Sequence, residues 1–167
     1  MENINKINKL NLGCGNDIRE GYLNIDFERF KGIDKIIDLD KIPYPFKNDQ
    51  FQEIVINNVL EHLENPYAVL KEIHRISRSR AVIKIMVPHF SSSNSWGDIQ
   101  HKRGFNLETF TNKNVTSMFK VIKNEVTFSK FRLIAKALYK LNHSFYEKHL
   151  AYIFPANDLY VELKVLK

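Results

Sequence analysis

The chain has 167 residues, 44% of them hydrophobic and 26% charged, which is enough for one domain to bury a core unaided by disulfides. Its one cysteine, Cys14, excludes an internal disulfide, and a reducing, cytoplasmic setting is the simplest expectation. Lys and Arg outnumber Asp and Glu by 25 to 19, for a net charge of +6. That surplus suits an anionic partner, a nucleic acid or a membrane surface, but is also modest enough to serve solubility alone.

In chain order, the opening Met-Glu-Asn-Ile-Asn-Lys-Ile-Asn-Lys holds no apolar signal core, and no stretch approaches the ~20 apolar residues of a membrane span. Leu10 and Leu12 alternate in Lys9-Leu10-Asn11-Leu12, a buried-strand pattern that runs straight into Gly13-Cys14-Gly15. Two glycines there permit positive φ and bring bare backbone close to a ligand. Only ten residues separate Gly15 from Asp26, so a short turn around Asp17 to Glu20 is expected in place of a crossover helix. Residues 22–27 and 35–39 read as short parallel strands, each ending near an acid, Asp26 and Asp38. Pro43 and Pro45 make the next stretch a loop.

Asn48-Asp49-Gln50 is a turn into the apolar run Ile54-Val55-Ile56. Asn65 can cap a helix with Pro66 at its first position, and Val69, Leu70, Ile73 and Ile76 then recur at helical spacing. Residues 81–87 form a nearly continuous apolar strand ended by Pro88. His89 to Arg103 is polar, serine-rich and too long for a routine connection, so it is the candidate substrate loop. Residues 119–128 and 158–166 alternate as strands. Between them, Phe131 to Leu141 is helical and cationic, and Tyr146 to Phe154 continues aromatic and basic. The expected organisation is a single α/β domain spanning 1–167, with a basic-aromatic insert at about 131–154.

Ligands of open α/β sheets lie beyond the carboxyl ends of the strands, where Gly13 to Gly15, Asp26 and Asp38 would converge. The dinucleotide fingerprint requires glycine at position 18, which is Ile18, and no Walker lysine follows the loop. The combination of Leu-Asn-Leu-Gly-Cys-Gly, Asn24-Ile25-Asp26, Asp38-Leu39 and Asn58-Val59-Leu60-Glu61-His62-Leu63 instead resembles the class I S-adenosylmethionine (SAM)-dependent methyltransferases. It is most similar to a compact branch of predicted methyltransferases of the type 11 kind. The resemblance covers at least residues 9 to 105. It implies a Rossmann-like sheet, mostly parallel, with an antiparallel C-terminal hairpin at its edge.

The resemblance also implies the cofactor and its ligands. Gly13, Cys14 and Gly15 would pack main chain against the amino-acid end of SAM, and Asp26 would accept hydrogen bonds from the ribose hydroxyls. Asp38 and Leu39 would border the adenine. Asn57 or Asn58 would meet the methionyl part, with Asn58 taken as the site residue. Trp96 to Phe105 resembles the Asp-Pro-x-His stretch after the fifth strand of related enzymes, with Ile99 in place of the proline. His101 is therefore the candidate base, oriented by Asp98, and His89 and Trp96 are candidates for shaping the acceptor pocket.

Glu61-His62 is typical of the family, yet His62 is expected to be structural, and His74 to lie on the surface. His89, Asp98 and His101 are a conceivable metal set, but their spacing matches no compact motif, so no metal is expected. Asn65-Pro66-Tyr67 is explained as a helix cap and first turn, so nucleic-acid N-methylation is not expected. The implied function is methyl transfer to oxygen or nitrogen of a small-molecule or glycan-type acceptor. The rival is a non-catalytic SAM-fold module that docks a partner or membrane through the basic insert. For that insert, a lid, a homodimer interface and a peripheral membrane contact all stay open.

Overall fold

The computed structural model describes residues 7–167. Its strands are β1 (Lys9–Leu12), β2 (Leu23–Asp26), β3 (Lys35–Ile36), β4 (Phe51–Asn57), β5 (Ser77–Pro88), β6 (Phe119–Val126) and β7 (Asp158–Val165). They form one sheet in the order β3-β2-β1-β4-β5-β7-β6. Neighbours from β3 through β5 are parallel, and β7 lies antiparallel between β5 and β6. The mostly parallel sheet with an antiparallel C-terminal hairpin is thus present as predicted.

The strands form where burial rewards them. Leu10, Leu12, Ile54, Ile56, Ile83 and Ile85 are fully buried, and the strand register places them side by side on one face of the sheet. β7, flanked by β5 and β6, alternates half-buried and buried residues along its whole length. Two strands differ in extent from the sequence expectation. β3 is only two residues long, leaving Asp38 in the loop beyond it. β5 begins at Ser77 rather than 81, because Phe51 pairs with Ser77 and the Gln50 N–H donates to the Ile76 carbonyl at 2.8 Å.

The parallel pair β1 and β2 is joined without a crossover helix. A buried asparagine pair takes over the organising role. Asn11 Nδ2 donates to the Asp17 carbonyl at 2.7 Å and to Asn24 Oδ1 at 3.0 Å, and Asn24 Oδ1 also accepts from the Arg19 N–H at 2.9 Å. Buried polar atoms that find partners in this way fix a conformation instead of costing stability.

The helix α1 (Pro66–Ile76) starts as its sequence dictates, with Asn65 Oδ1 accepting the Ala68 N–H at 3.0 Å and proline at the first position. Val69, Leu70, Ile73 and Ile76 face inward. Buried Glu72 accepts the Tyr44 N–H at 2.7 Å and pairs with Arg75, whose Nη1 donates to the Phe46 carbonyl at 2.9 Å. This brace holds the proline loop, and hence the Asp38–Asp40 segment before it, against the sheet.

Two short helices, α2 (Asn94–Gly97) and α3 (Lys113–Thr116), punctuate the polypeptide after β5. The insert between β6 and β7 contains α4 (Leu133–Leu141), the single turn α5 (His143–Phe145) and a π-helical turn at Tyr146–Leu150. It is fastened to the loop after β5. His89 Nε2 lies 3.0 Å from Glu147 Oε1, the Ala156 N–H donates to Ser91 Oγ at 3.0 Å, and the Phe90 and Tyr152 rings meet edge to face. No helix of the described residues is long and apolar enough to cross a membrane.

Candidate functional site

At the carboxyl ends of β1, β2 and β4 lies a cavity of about 610 Å³, whose walls include Gly13, Gly15, Asp26, Asp38, Leu39 and Asn58. Six of the seven sequence-predicted cofactor residues therefore share one concavity. Its volume falls in the range of about 300–1,000 Å³ typical of small-molecule sites.

The two glycines serve different ends. Gly13 has φ +62°, and a Cβ there would come within 2.4 Å of Val59 Cγ2, so it lets the β1 turn pack against the turn after β4. Gly15 has φ +48°, and a Cβ there would meet no atom within 4 Å. Its backbone forms bare cavity wall, a cradle that any side chain would fill.

Cys14, expected to offer main-chain contacts, does not reach the wall. Its N–H donates to the Ile25 carbonyl at 3.0 Å, and its carbonyl accepts the Asp17 N–H at 2.8 Å. The buried side chain packs inward, and burial followed by the nearby Asp26 charge pushes the thiol up to about 11. Cys14 is a turn residue with an inert thiol.

Asp26 combines two roles. Its Oδ2 accepts the Gly15 N–H at 2.8 Å, and its Oδ1 accepts the N–H groups of Phe27 and Glu28 at 2.8 and 3.2 Å. A carboxylate has about four acceptor sites, so one is left free while one ties the glycine turn to the end of β2 and two close the turn that follows β2. The sequence foresaw the acid but not its cross-link to the glycine loop.

Asp38 is exposed at the rim, where the Asp40 N–H and then the Lys41 side chain hold its carboxyl below the usual range. Leu39 is buried behind it, its carbonyl accepting the Tyr44 hydroxyl at 2.9 Å. Phe27 and Phe30 also line the cavity while 67% and 39% exposed, an arrangement suited to covering a flat ring. Sequence reasoning passed over both. The signal was there in Phe27-Glu28-Arg29-Phe30, two aromatics just beyond a strand-end acid.

The far wall comes from the turn after β4 and the loop after β5: Asn58, Val59, His62 and Leu63 from one, and Ile99, Gln100 and Lys102 from the other. Asn58 takes a left-handed φ of 52° that its short amide side chain tolerates. No helix forms at 58–63. The turn sends Glu61 fully inward and leaves His62 on the cavity wall. Burial raises the Glu61 carboxyl to about 7, while burial and then His101 lower His62. The Lys102 N–H donates to the Glu61 carbonyl at 2.8 Å, and Arg103 donates to the carbonyls of Leu63 and Glu64, clamping the two segments together.

That clamp sets His101 against His62, ring centroids 4.6 Å apart and edge to face. Asp98 Oδ2 lies 3.9 Å from His101 Nε2. The two thus stand beyond hydrogen-bonding distance, and neither lines the cavity, whose wall is made here by His62. The expected acceptor residues stand elsewhere. His89 is fully buried, bound to Glu147 and Ser91, and Trp96 is 70% exposed with Nε1 donating to the Phe90 carbonyl at 2.9 Å. Neither lines the cavity. Both organise the loop that carries Asp98 and His101, because a histidine so close to the β5 end is captured by the insert packed over it.

These features fit SAM. A bare glycine wall, a strand-end acid with a free acceptor site, flanking aromatics and an apolar adenine-side leucine are what a nucleoside joined to an amino acid requires. Comparison with known proteins agrees. Residues 14–85 match the model of a methyltransferase domain. No curated protein matches the chain. Among solved structures, an S-adenosylmethionine-dependent methyltransferase from Mesorhizobium loti is 15% identical with a TM-score of 0.65, covering 98% of this chain and 93% of its own. A SAM-dependent methyltransferase from Archaeoglobus fulgidus is 16% identical with a TM-score of 0.67, covering 96% and 87%. The N-methyltransferase NodS from Bradyrhizobium japonicum WM9, solved in complex with S-adenosyl-L-homocysteine (SAH), is 14% identical with a TM-score of 0.60, covering 95% and 78%. With the strand order, the glycine turn and the domain match in agreement, the chain has the fold of the SAM-dependent methyltransferases, and its residues 14–85 are similar to a methyltransferase domain.

Proposed function

We propose that this chain transfers a methyl group to oxygen or nitrogen of a small-molecule or glycan-type acceptor. The observation that carries this reading is the pairing, in one cavity, of the glycine–Asp26 cradle with His62 on the opposite wall, where the His101 ring packs edge to face against it. When bound, SAM supplies a methyl group on a positively charged sulfonium, so the chemistry needs only position and loss of a proton from the acceptor.

The residues divide that work. Gly15 and Asp26 would hold the amino-acid and ribose portions, Leu39 with Asp38 the adenine side, and Asn58 the methionyl part. His101, oriented by Asp98, would assist the acceptor in losing its proton, with His62 beside it. Ile99 and Lys102 would shape the acceptor mouth, and the loop from His89 through Trp96 would hold that mouth in place. Incubation with methyl-labelled SAM and a panel of hydroxyl and amine acceptors should give label transfer and SAH in equal amounts. Saturable SAM binding with no transfer to any acceptor class would instead favour the non-catalytic module.

A second feature bears on where the reaction occurs. Residues 129–156 hold five Lys or Arg and one acid, Glu147, which is buried. Phe131, Leu133, Ile134, Leu141, Tyr152 and Ile153 are all at least 63% exposed. Apolar side chains rimmed by lysines suit an anionic lipid surface, and we infer that the insert rests peripherally on one. Sedimentation with phosphatidylserine vesicles but not with phosphatidylcholine vesicles is the expected result. Sedimentation with neither, or equally with both, would remove the inference.

A further inference from the structure

Glu61 and His101 meet His62 at the far wall of the cavity, which His62 itself lines, with one ligand-capable atom of each within 4.8 Å of the others. Glu61 has no exposed surface, yet neither carboxylate oxygen has a hydrogen-bond partner. The buried Nδ1 atoms of His62 and His101 are likewise unpartnered. Leaving one buried polar group unpaired costs about 1–3 kcal/mol, and more for a charge. Other buried carboxylates of this fold are paired, Glu72 with Arg75 and Glu147 with His89. A structural Glu–His–His cluster would satisfy itself by mutual hydrogen bonds. This one does not.

We propose that Glu61, His62 and His101 bind a first-row divalent transition-metal ion at the acceptor end of the SAM cavity. Two imidazoles and a carboxylate suit zinc, manganese, iron(II) or cobalt, whereas magnesium and calcium favour oxygen-rich shells. Bonds of about 2.0–2.2 Å place tetrahedral ligand atoms roughly 3.4 Å apart. The observed spread of up to 4.8 Å closes to that with a shift of about 1.4 Å, which His101 can make on its loop. Asp98, 3.9 Å from His101 Nε2, stands where an outer carboxylate fixes a ligating histidine so that Nδ1 faces the ion. The Lys102–Glu61 backbone bond holds the two contributing segments in register. The set differs from the one the sequence suggested, because His89 is committed to Glu147.

Three protein ligands leave a position for an acceptor atom, and this extension rests on the methyl-transfer reading above. It selects an oxygen acceptor, such as a hydroxyl, whose proton becomes easier to lose beside a divalent cation. The proton leaves to solvent, the new O–C bond forms as the S–C bond breaks, and the electron pair of that bond stays on sulfur. In this arrangement His101 is a ligand, and Asp98 is the residue that positions it.

The test uses the full chain, stripped with a chelator and free of SAM. It is titrated with Co²⁺ by visible absorption and with Zn²⁺ and Mn²⁺ by calorimetry, while SAH binding is measured separately. One ion per chain is expected, with His101→Ala and Glu61→Gln each weakening it at least ~100-fold at unchanged far-ultraviolet circular dichroism. His149→Ala, in the insert, should titrate like the wild type. Absence of saturable binding, or equal affinity in His101→Ala, would overturn the proposal. Should Glu61→Gln fail to fold, His101→Ala decides alone. SAH binding without metal binding removes the ion and leaves the methyltransferase reading, whereas metal binding without SAH binding does the reverse.

Discussion

Glu61 and Glu72 are both buried glutamates, eleven positions apart, the first in the turn after β4 and the second in α1. Glu72 accepts a backbone N–H and pairs with Arg75, whose hydrogen bond holds the carboxyl below its usual range. Glu61 has no partner on either oxygen, and burial pushes its carboxyl up to about 7. The first is a brace, joining α1 to the proline loop. The second keeps its bonding capacity in reserve beside a cavity. Satisfied buried charge marks where this fold spends polar groups on architecture, and unsatisfied charge marks where it holds them for a ligand.

The largest effect expected from this contrast is at the brace. Glu72→Ala leaves Arg75 facing the Phe46 and Tyr44 carbonyls without its counter-charge, and should destabilise the fold by roughly 3 kcal/mol, read from denaturant midpoints. The contribution has a defined pH window. Because the folded carboxyl is depressed, the stability it supplies is complete above the unfolded carboxylate value of about 4.3 and is lost as pH falls through the folded value. The gap in melting temperature between wild type and Glu72→Gln should therefore be widest at neutral pH and shrink below about pH 4. A gap that widened in acid would reverse the assignment of Glu72 as a charged brace.

Next in size is Gly13→Ala, which puts a Cβ against Val59 and an L side chain at φ +62°. A loss of about 1–3 kcal/mol is expected, together with weaker SAH binding, since the β1 turn must shift away from the β4 turn. Unchanged stability would show that the turn is softer than its packing implies. The smallest effect sharpens the comparison from the other side. In chelator-treated protein, Glu61→Gln should lie within about 1 kcal/mol of wild type or be more stable, because it removes an unpaired buried charge. A loss as large as that of Glu72→Ala would mean that Glu61 is a brace as well.

Much of the architecture was legible because it rests on local pattern. Leu10, Leu12 and the glycines after them announced the first strand and its turn, and Asn65-Pro66 with Val69, Leu70, Ile73 and Ile76 announced α1. The alternation at 158–166 announced β7, and the strand-end acids lie where the topology requires. What stayed hidden depends on residues distant in sequence. The Asn11–Asn24 network could not be read from two isolated polar residues in strands. His89 was indistinguishable from an acceptor residue until Glu147, fifty-eight positions later, was seen to hold it. The contact between Glu61, His62 and His101 depends on the backbone clamp from Lys102, which has no sequence signature. Cys14 was misjudged for a similar reason, since its N–H and carbonyl are taken by Ile25 and Asp17, partners that the two glycines do not announce.

The central claim, that the glycine–Asp26 cavity is the cofactor site, is tested most directly by calorimetric titration of SAH into wild type and Gly15→Asn. Asparagine tolerates a left-handed backbone, so the turn should survive and the melting temperature should stay within a few degrees, while the new side chain occupies the cradle wall. Saturable 1:1 binding to wild type, weakened at least ~10-fold in Gly15→Asn, is the predicted result. Equal affinity in the two proteins, or no binding by folded wild type, would contradict it.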